Sequence, residues 1–188
     1  MRITTVRHGE TDWNVARRAQ GSKDIELNQN GINQAQLLAE RLANEPCDII
    51  YSSDLKRAYK TAEIINNRHH VPLIATPELR ESSFGKFEGA VLSDFETRKA
   101  FSEFAEQRAP AYFAQVHAYL GKIISHSDKD IIIVAHYGTV RAMVCYFLNI
   151  PVAQRGMYAV GNTAIHTFER LPDGSFRMVL ENDTGHLN

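Results

Sequence analysis

Two spacings of apolar residues divide the chain. Ile131-Ile132-Ile133-Val134-Ala135 is an unbroken, largely β-branched run, the pattern of a strand covered on both faces. Asp48-Ile49-Ile50-Tyr51 reads as a shorter strand, and Ile3 to Val6 as another. Strands buried on both sides require flanking helices, and the spacing predicts them. Val140, Met143, Val144, Phe147 and Leu148 form a stripe at i, i+3, i+4, i+7 and i+8, stopped by Asn149-Ile150-Pro151. Leu55, Ala58, Tyr59, Ala62 and Ile65 form a second stripe, with Ser53-Asp54 as the expected N-cap. Phe113, Val116, Leu120 and Ile124 form a third, with Pro110 expected at the helix start, and Gly31 to Ala43 a fourth. Near the end, Ala164 to Phe168 and Phe176 to Leu180 flank the turn Leu171-Pro172-Asp173-Gly174, which predicts a hairpin.

Strands alternating with helices, plus a hairpin, predict an α/β three-layer sandwich: a mixed, mostly parallel central sheet flanked by helices. No low-complexity tract, charge block or repeat marks a boundary, so residues 1–188 are expected to form one domain. In such folds ligands bind beyond the carboxyl ends of the strands. Three segments place polar residues there. Arg7-His8 follows Ile3 to Val6, Ser52-Ser53-Asp54 and then Arg57 follow Asp48 to Tyr51, and His136 follows Ile131 to Ala135.

Composition removes several function classes. The apolar fraction is 44%, the charged fraction 23% and the formal net charge −1, so no global field favours DNA, RNA or an acidic membrane. Any anion site must be built locally. Cys47 and Cys145 are far apart in sequence and form no CxxC motif, which suits a reducing cytoplasm. No apolar run approaches the roughly 18 residues of a membrane helix, and the first residues carry no secretory pattern. His8-Gly9-Glu10 mimics one metal motif, but its Pro-Cys-x-x-Cys partner and HExxH are missing, so no metal or other cofactor is expected.

Phosphoryl transfer needs a nucleophile, a proton donor for the leaving oxygen, and cations around the equatorial oxygens. His8 is the candidate nucleophile through a neutral ring nitrogen, forming a phosphohistidine that water hydrolyses. Arg7, Arg57 and His136 are the candidate phosphate pocket, since a planar guanidinium matches phosphate oxygens. The same positive charge disfavours protonation of His8. Gly138 at the next helix start suggests additional N–H donors, and Gly9 a close main-chain approach to the anion. Glu81 is the candidate general acid, with Glu10, Asp12, Asp54 and Glu88 as competitors. His117, on an apolar face, and His69-His70, at a helix end, are read as structural.

With these residues in place, the chain resembles the histidine phosphatase superfamily, also called phosphoglycerate mutase-like. The resemblance is carried by Arg7-His8-Gly9-Glu10-Thr11 with Trp13-Asn14, by Gln20-Gly21 with Asp24, Leu27 and Gly31, and by Ser52-Ser53-Asp54-Leu55-Lys56-Arg57-Ala58 with Thr61-Ala62. It continues through Leu79-Arg80-Glu81 with Phe84-Gly85 and Glu88-Gly89, and Ala135-His136-Tyr137-Gly138-Thr139-Val140-Arg141. It implies His8 as nucleophile, Arg7, Arg57 and His136 as phosphate pocket, Glu81 as proton donor, and Asn14, Gln20 and Gly21 as further substrate contacts. Many members have His-Gly-Gly where this chain has His136-Tyr137-Gly138, which puts Tyr137 at the pocket mouth. Where many broad-specificity phosphatases and cobalamin-pathway members carry a Pro-Gly-Gly-Glu-Ser type segment, this chain reads Glu106-Gln107-Arg108-Ala109-Pro110-Ala111-Tyr112-Phe113.

The expected activity is metal-independent hydrolysis of a small phosphorylated metabolite, by a cytoplasmic monomer or homodimer. Three alternatives use the same residues: a phosphoglycerate mutase-type phosphotransferase, an alpha-ribazole phosphatase-like enzyme, and an inactive phospho-ligand-binding regulator. Residues 87–110 look short for the lid a mutase needs to exclude water.

Overall fold

A computed structural model describes residues 1–125 and 127–188. Six strands among these residues form one sheet: β1 (Arg2–Arg7), β2 (Ile49–Ser53), β3 (Leu73–Thr76), β4 (Ile131–Ala135), β5 (Ile165–Arg170) and β6 (Phe176–Asp183). Their spatial order is β3-β2-β4-β1-β5-β6. β3, β2, β4 and β1 are parallel, while β5 and β6 are antiparallel additions. Among the described residues the five α-helices are α1 (Asp12–Val15), α2 (Gln29–Leu42), α3 (Lys56–His69), α4 (Phe95–Ile124) and α5 (Tyr137–Leu148). Both the sandwich and its mixed sheet are as the alternation of strands and helices predicts. The short strand β3 is an addition: Leu73-Ile74-Ala75 has no distinctive pattern and pairs only along β2.

The unbroken apolar run Ile131–Ala135 is the central strand, and all five residues are buried. Its alternation divides the core. Ile132 and Val134 meet Leu38, Leu42, Ala58 and Ile65 from α2 and α3. On the other face, Ile131, Ile133 and Ala135 meet Val116 and Leu120 of α4 and Val144 and Phe147 of α5. Each Val, Leu, Ile or Phe side chain in these stripes contributes about 1.5–3 kcal/mol by leaving water, which is why the stripes were readable.

Two helix starts differ from expectation. α4 begins at Phe95, N-capped by Asp94, and runs 30 residues with Pro110 in its interior. An interior proline costs about 3 kcal/mol. Here Pro110 is exposed, and the extra turns bring Phe101 and Phe104 against the 3-10 turn Gly85–Phe87. Phe84–Phe101, Phe87–Phe101 and Phe87–Phe104 pack at 4.8, 5.9 and 5.3 Å. Three aromatic pairs at about 0.5–1.5 kcal/mol each, beyond their buried area, offset the proline. α3 takes neither Ser53 nor Asp54 as its cap, and Leu55 holds that position. Asp54 instead pairs with Arg80, and the Lys56 N–H donates to Asp24 Oδ1, a cap supplied from a distant loop.

His166 is buried in β5, its Nε2 3.2 Å from the Ala159 carbonyl, and burial holds its pKa at about 4. The unfolded chain takes up this proton near pH 6.5, whereas the native state does so only near 4. Its stabilising contribution is therefore complete above 6.5 and lost as pH falls from 6.5 toward 4. Thermal denaturation should show Tm falling between pH 7 and pH 5, with a smaller fall in His166→Gln; an equal fall in the variant would contradict this.

Candidate active site

The sheet register itself assembles the two histidines. Arg7 pairs with Ala135 across β1 and β4, so the next residue of each strand, His8 and His136, emerges at the same edge. The His8 N–H donates to the Ala135 carbonyl at 3.0 Å, and the two rings lie 5.2 Å apart. β2 lies on the other side of β4 and supplies Ser53, whose Oγ sits 2.8 Å from His136 Nε2. Arg57 enters from the first turn of α3.

His8 is 3% exposed, with Nδ1 2.7 Å from the Gly9 carbonyl oxygen. A carbonyl only accepts, so the ring proton is on Nδ1 and Nε2 keeps the lone pair. Burial, then Arg57 and Arg7, push the His8 pKa well below its ordinary value. The imidazole is neutral at physiological pH. His136 is lowered in the same way by burial, Arg57, His8 and Arg7.

The arginines are anchored by backbone carbonyls. Arg57, 1% exposed, donates Nη1 to Lys23 O at 2.6 Å and Nη2 to Gly21 O at 2.9 Å. Arg7 donates Nη1 to Val160 O at 2.8 Å. Burial lowers both to about 10, so both stay charged at neutral pH. Among the described residues, Arg7 Nε, Arg57 Nε and His136 Nδ1 are buried nitrogens with no hydrogen-bond partner. Buried donors are satisfied in nearly all native proteins, so three orphans in one cluster mark a place for an acceptor.

Glu81, also buried, follows the 3-10 turn Pro77–Leu79. Its Oε2 accepts from the Gly138 N–H at 2.8 Å and its Oε1 from the Ser82 N–H at 2.9 Å. This redirects Gly138: its N–H orients the carboxylate rather than facing an anion. A Cβ at Gly138 would lie 2.5 Å from Glu81 Oε1. Gly138→Ala gains about 1 kcal/mol of helix propensity, yet it should lower kcat about a hundredfold by displacing the carboxylate. Steady-state kinetics beside a melting curve check this, and an unchanged kcat would contradict it.

The other expected residues divide. Asn14 belongs to the capping box of α1: its Oδ1 accepts from Thr11 N–H and Oγ1 and from Asn162 Nδ2, leaving its amino end as the donor. Gln20 is buried with Oε1 unpartnered. Gly21 spends its carbonyl on Arg57, so it acts through that side chain. Tyr137 lies half-exposed at the mouth, its ring 5.5 Å from the Arg7 guanidinium and 4.1 Å from that of Arg141. Gly9 approaches not an anion but α2: a Cβ there would sit 2.4 Å from the Gly31 carbonyl. Of the competing acids, Glu10 is tied to Asn28 and Asn30, Asp54 to Arg80, and Glu88 to Ser22 and Phe84.

Sequence reading missed the loop before β5. Asn162 Nδ2 donates to His8 O at 3.0 Å, the Thr163 N–H to Arg7 O at 3.1 Å, and Val160 O holds Arg7. Small polar residues directly before a strand were the only local signal. Tyr112 was also missed; its hydroxyl lies 2.7 Å from Thr139 Oγ1 and donates to Arg80 O at 2.9 Å, bracing the Glu81 loop.

A neutral imidazole beside two fixed guanidinium groups, both coupled by charge to an oriented carboxylate, suits transfer of a phosphoryl group at the end of a parallel sheet; by fold and site the protein is a phosphoryl-transfer enzyme. The chain belongs to the histidine phosphatase superfamily, branch 1, whose sequence profile matches residues 3–184. It is 31% identical to phosphoglycerate mutase-like protein 4 of Arabidopsis thaliana, over 98% of this chain and 86% of that protein. Phosphoserine phosphatase 1 of Hydrogenobacter thermophilus is 30% identical over 90% of this chain and 88% of its own. A crystal structure of a mutant phosphoserine phosphatase from Entamoeba histolytica in complex with phosphoserine superposes with a TM-score of 0.85 at 28% identity, covering 100% of this chain and 99% of that one.

Proposed function

We propose that this protein hydrolyses small phosphate monoesters through a phosphohistidine on His8. The observation that carries the reading is the His8 ring: Nδ1–H fixed on the Gly9 carbonyl, Nε2 unprotonated, and two arginines beside it. In the first step Nε2 attacks phosphorus and the P–O ester bond breaks. Glu81 gives its proton to the departing oxygen. In the second step Glu81 takes a proton from water as that water attacks phosphorus, freeing His8 and inorganic phosphate. Arg7 and Arg57 bind the equatorial oxygens, with the orphaned Nε donors reaching the anion. With Ser53 Oγ donating to Nε2, His136 carries its proton on Nδ1 and adds a third donor.

The relatives' names make phosphoserine and phosphoglycerates the first metabolites to assay, and the free Cys47 and Cys145 suit a cytoplasmic protein. The test is release of inorganic phosphate from an aryl phosphate and from these metabolites, with and without chelator. Turnover that survives chelation supports the reading. Turnover abolished by chelation, or interconversion of phosphoglycerates without phosphate release, would overturn it.

A further inference from the structure

A groove of about 310 Å³ starts at Glu81, Tyr137 and Gly138 and runs between the middle of α4 and Arg155. It opens from the carboxylate assigned to protonate the departing oxygen, which makes it a place for the leaving group. Its volume lies at the lower end of small-molecule pockets and exceeds what a two- or three-carbon ester fills. Phe84, Phe101, Tyr112, Phe113 and Tyr137 supply aromatic walls. At the far side Arg155 pairs with Glu106. The two partners are unequal: the Arg155 side chain is 15% exposed and anchored by Nη1 on Val152 O at 3.0 Å, while that of Glu106 is 62% exposed. Arg155 is a fixed part of the wall; Glu106 is a surface carboxylate that swings into water without leaving a buried charge unpaired.

We propose that the preferred leaving group is an aromatic alcohol bearing a carboxylate distal to the phosphorylated oxygen, and that this carboxylate displaces Glu106 from Arg155. The inference rests on the phosphatase reading, since it takes Glu81 as the proton donor. Exchanging one carboxylate for another on Arg155 keeps the guanidinium paired, while the aromatic body leaves water against the groove walls. A neutral body of the same shape leaves Glu106 in place and gains only the apolar part. A second polar groove also borders Glu81, with Arg80 and Arg108 on its rim. Arg80 is already held by both oxygens of Asp54, so the competing anchors are Arg108 and Arg141, which lines the first groove with its Nε on Tyr158 O at 2.9 Å and its guanidinium over the Tyr137 ring.

The experiment compares kcat/KM for 4-carboxyphenyl phosphate and 4-carbamoylphenyl phosphate. The carboxylate withdraws fewer electrons than the carbamoyl group, so intrinsic reactivity does not favour the first ester. The ratio should be about ten in the wild type, the worth of one charge-assisted pair less that of the exposed Glu106 pair it displaces. It should fall to near one in Arg155→Met, rise in Glu106→Gln, and stay unchanged in Arg108→Met and in Arg141→Met. Phosphoserine should be a poorer substrate than the carboxyphenyl ester. A wild-type ratio at or below one, a ratio retained in Arg155→Met, or one lost in Arg108→Met or Arg141→Met would overturn the proposal. Should Arg155→Met not fold, Glu106→Gln decides alone, because a ratio that does not rise contradicts displacement. Kd values for both esters on His8→Ala separate the two readings: a preserved Kd preference without wild-type turnover contradicts the phosphatase, and an absent one contradicts this groove assignment.

Discussion

His8→Ala is expected to lower kcat on an aryl phosphate by roughly four orders of magnitude or more while leaving a folded protein. Removing a covalent nucleophile eliminates the two-step route and leaves only binding and electrostatics. No other described group replaces it. His136 is the nearest imidazole, but its Nε2 is engaged with Ser53, and its ring lies 5.2 Å from that of His8. The fold should survive because the histidine side chain holds one hydrogen bond, to the adjacent Gly9, while the Ala135 pairing uses its backbone. Circular dichroism and a melting curve establish folding, and stopped or continuous phosphate release gives the rate. Activity within tenfold of wild type would remove His8 from the mechanism.

Arg57→Met should reduce kcat/KM about a hundred- to a thousandfold, the usual consequence of losing one preorganised charge donor. It should also move the acid limb of the pH profile in a definite direction. Arg57 is the largest charge contribution holding the His8 pKa down, after burial. Without that charge the His8 pKa rises, the protonated and non-nucleophilic form persists to higher pH, and the acid limb of kcat/KM shifts upward. Arg57→Lys keeps the charge but loses the fork onto Lys23 and Gly21. It should lose activity with a smaller shift of the limb. NMR titration of the His8 ring reads the same displacement directly. A limb that stays put in Arg57→Met would mean that Arg57 does not tune His8.

Much of this site was legible because it is written at strand ends. The Ile131–Ala135 run located the central strand, and a parallel neighbour then forces His8 beside His136. Arg57 was harder. Its full burial contradicts the ordinary expectation for a helix arginine, and its anchors, the carbonyls of Gly21 and Lys23, belong to an irregular loop with no period to read. Similarly, the roles of Gly9 and Gly138 were assigned to an anion, whereas close packing against Gly31 and Glu81 accounts for both. Spacing shows that a small residue is needed, not what it must make room for. The α4 start was missed because Phe101 and Phe104 pack on a 3-10 turn instead of the sheet and Phe95 is exposed, so they continue no stripe. Asn162 and Val160 act on His8 and Arg7 from more than 150 residues away, a distance over which one sequence carries no pairing signal.

The central claim is the covalent intermediate on His8, and trapping it is the most direct measurement. Enzyme mixed with excess aryl phosphate and quenched in alkaline denaturant should carry one phosphoryl group on the peptide containing His8, stable to base and lost in acid, as a phosphoramidate requires. The label should appear within the first turnover, disappear as substrate is exhausted, and be missing from His8→Ala. An enzyme that turns over with no phosphopeptide under these conditions, or with the label on another residue, would contradict the account.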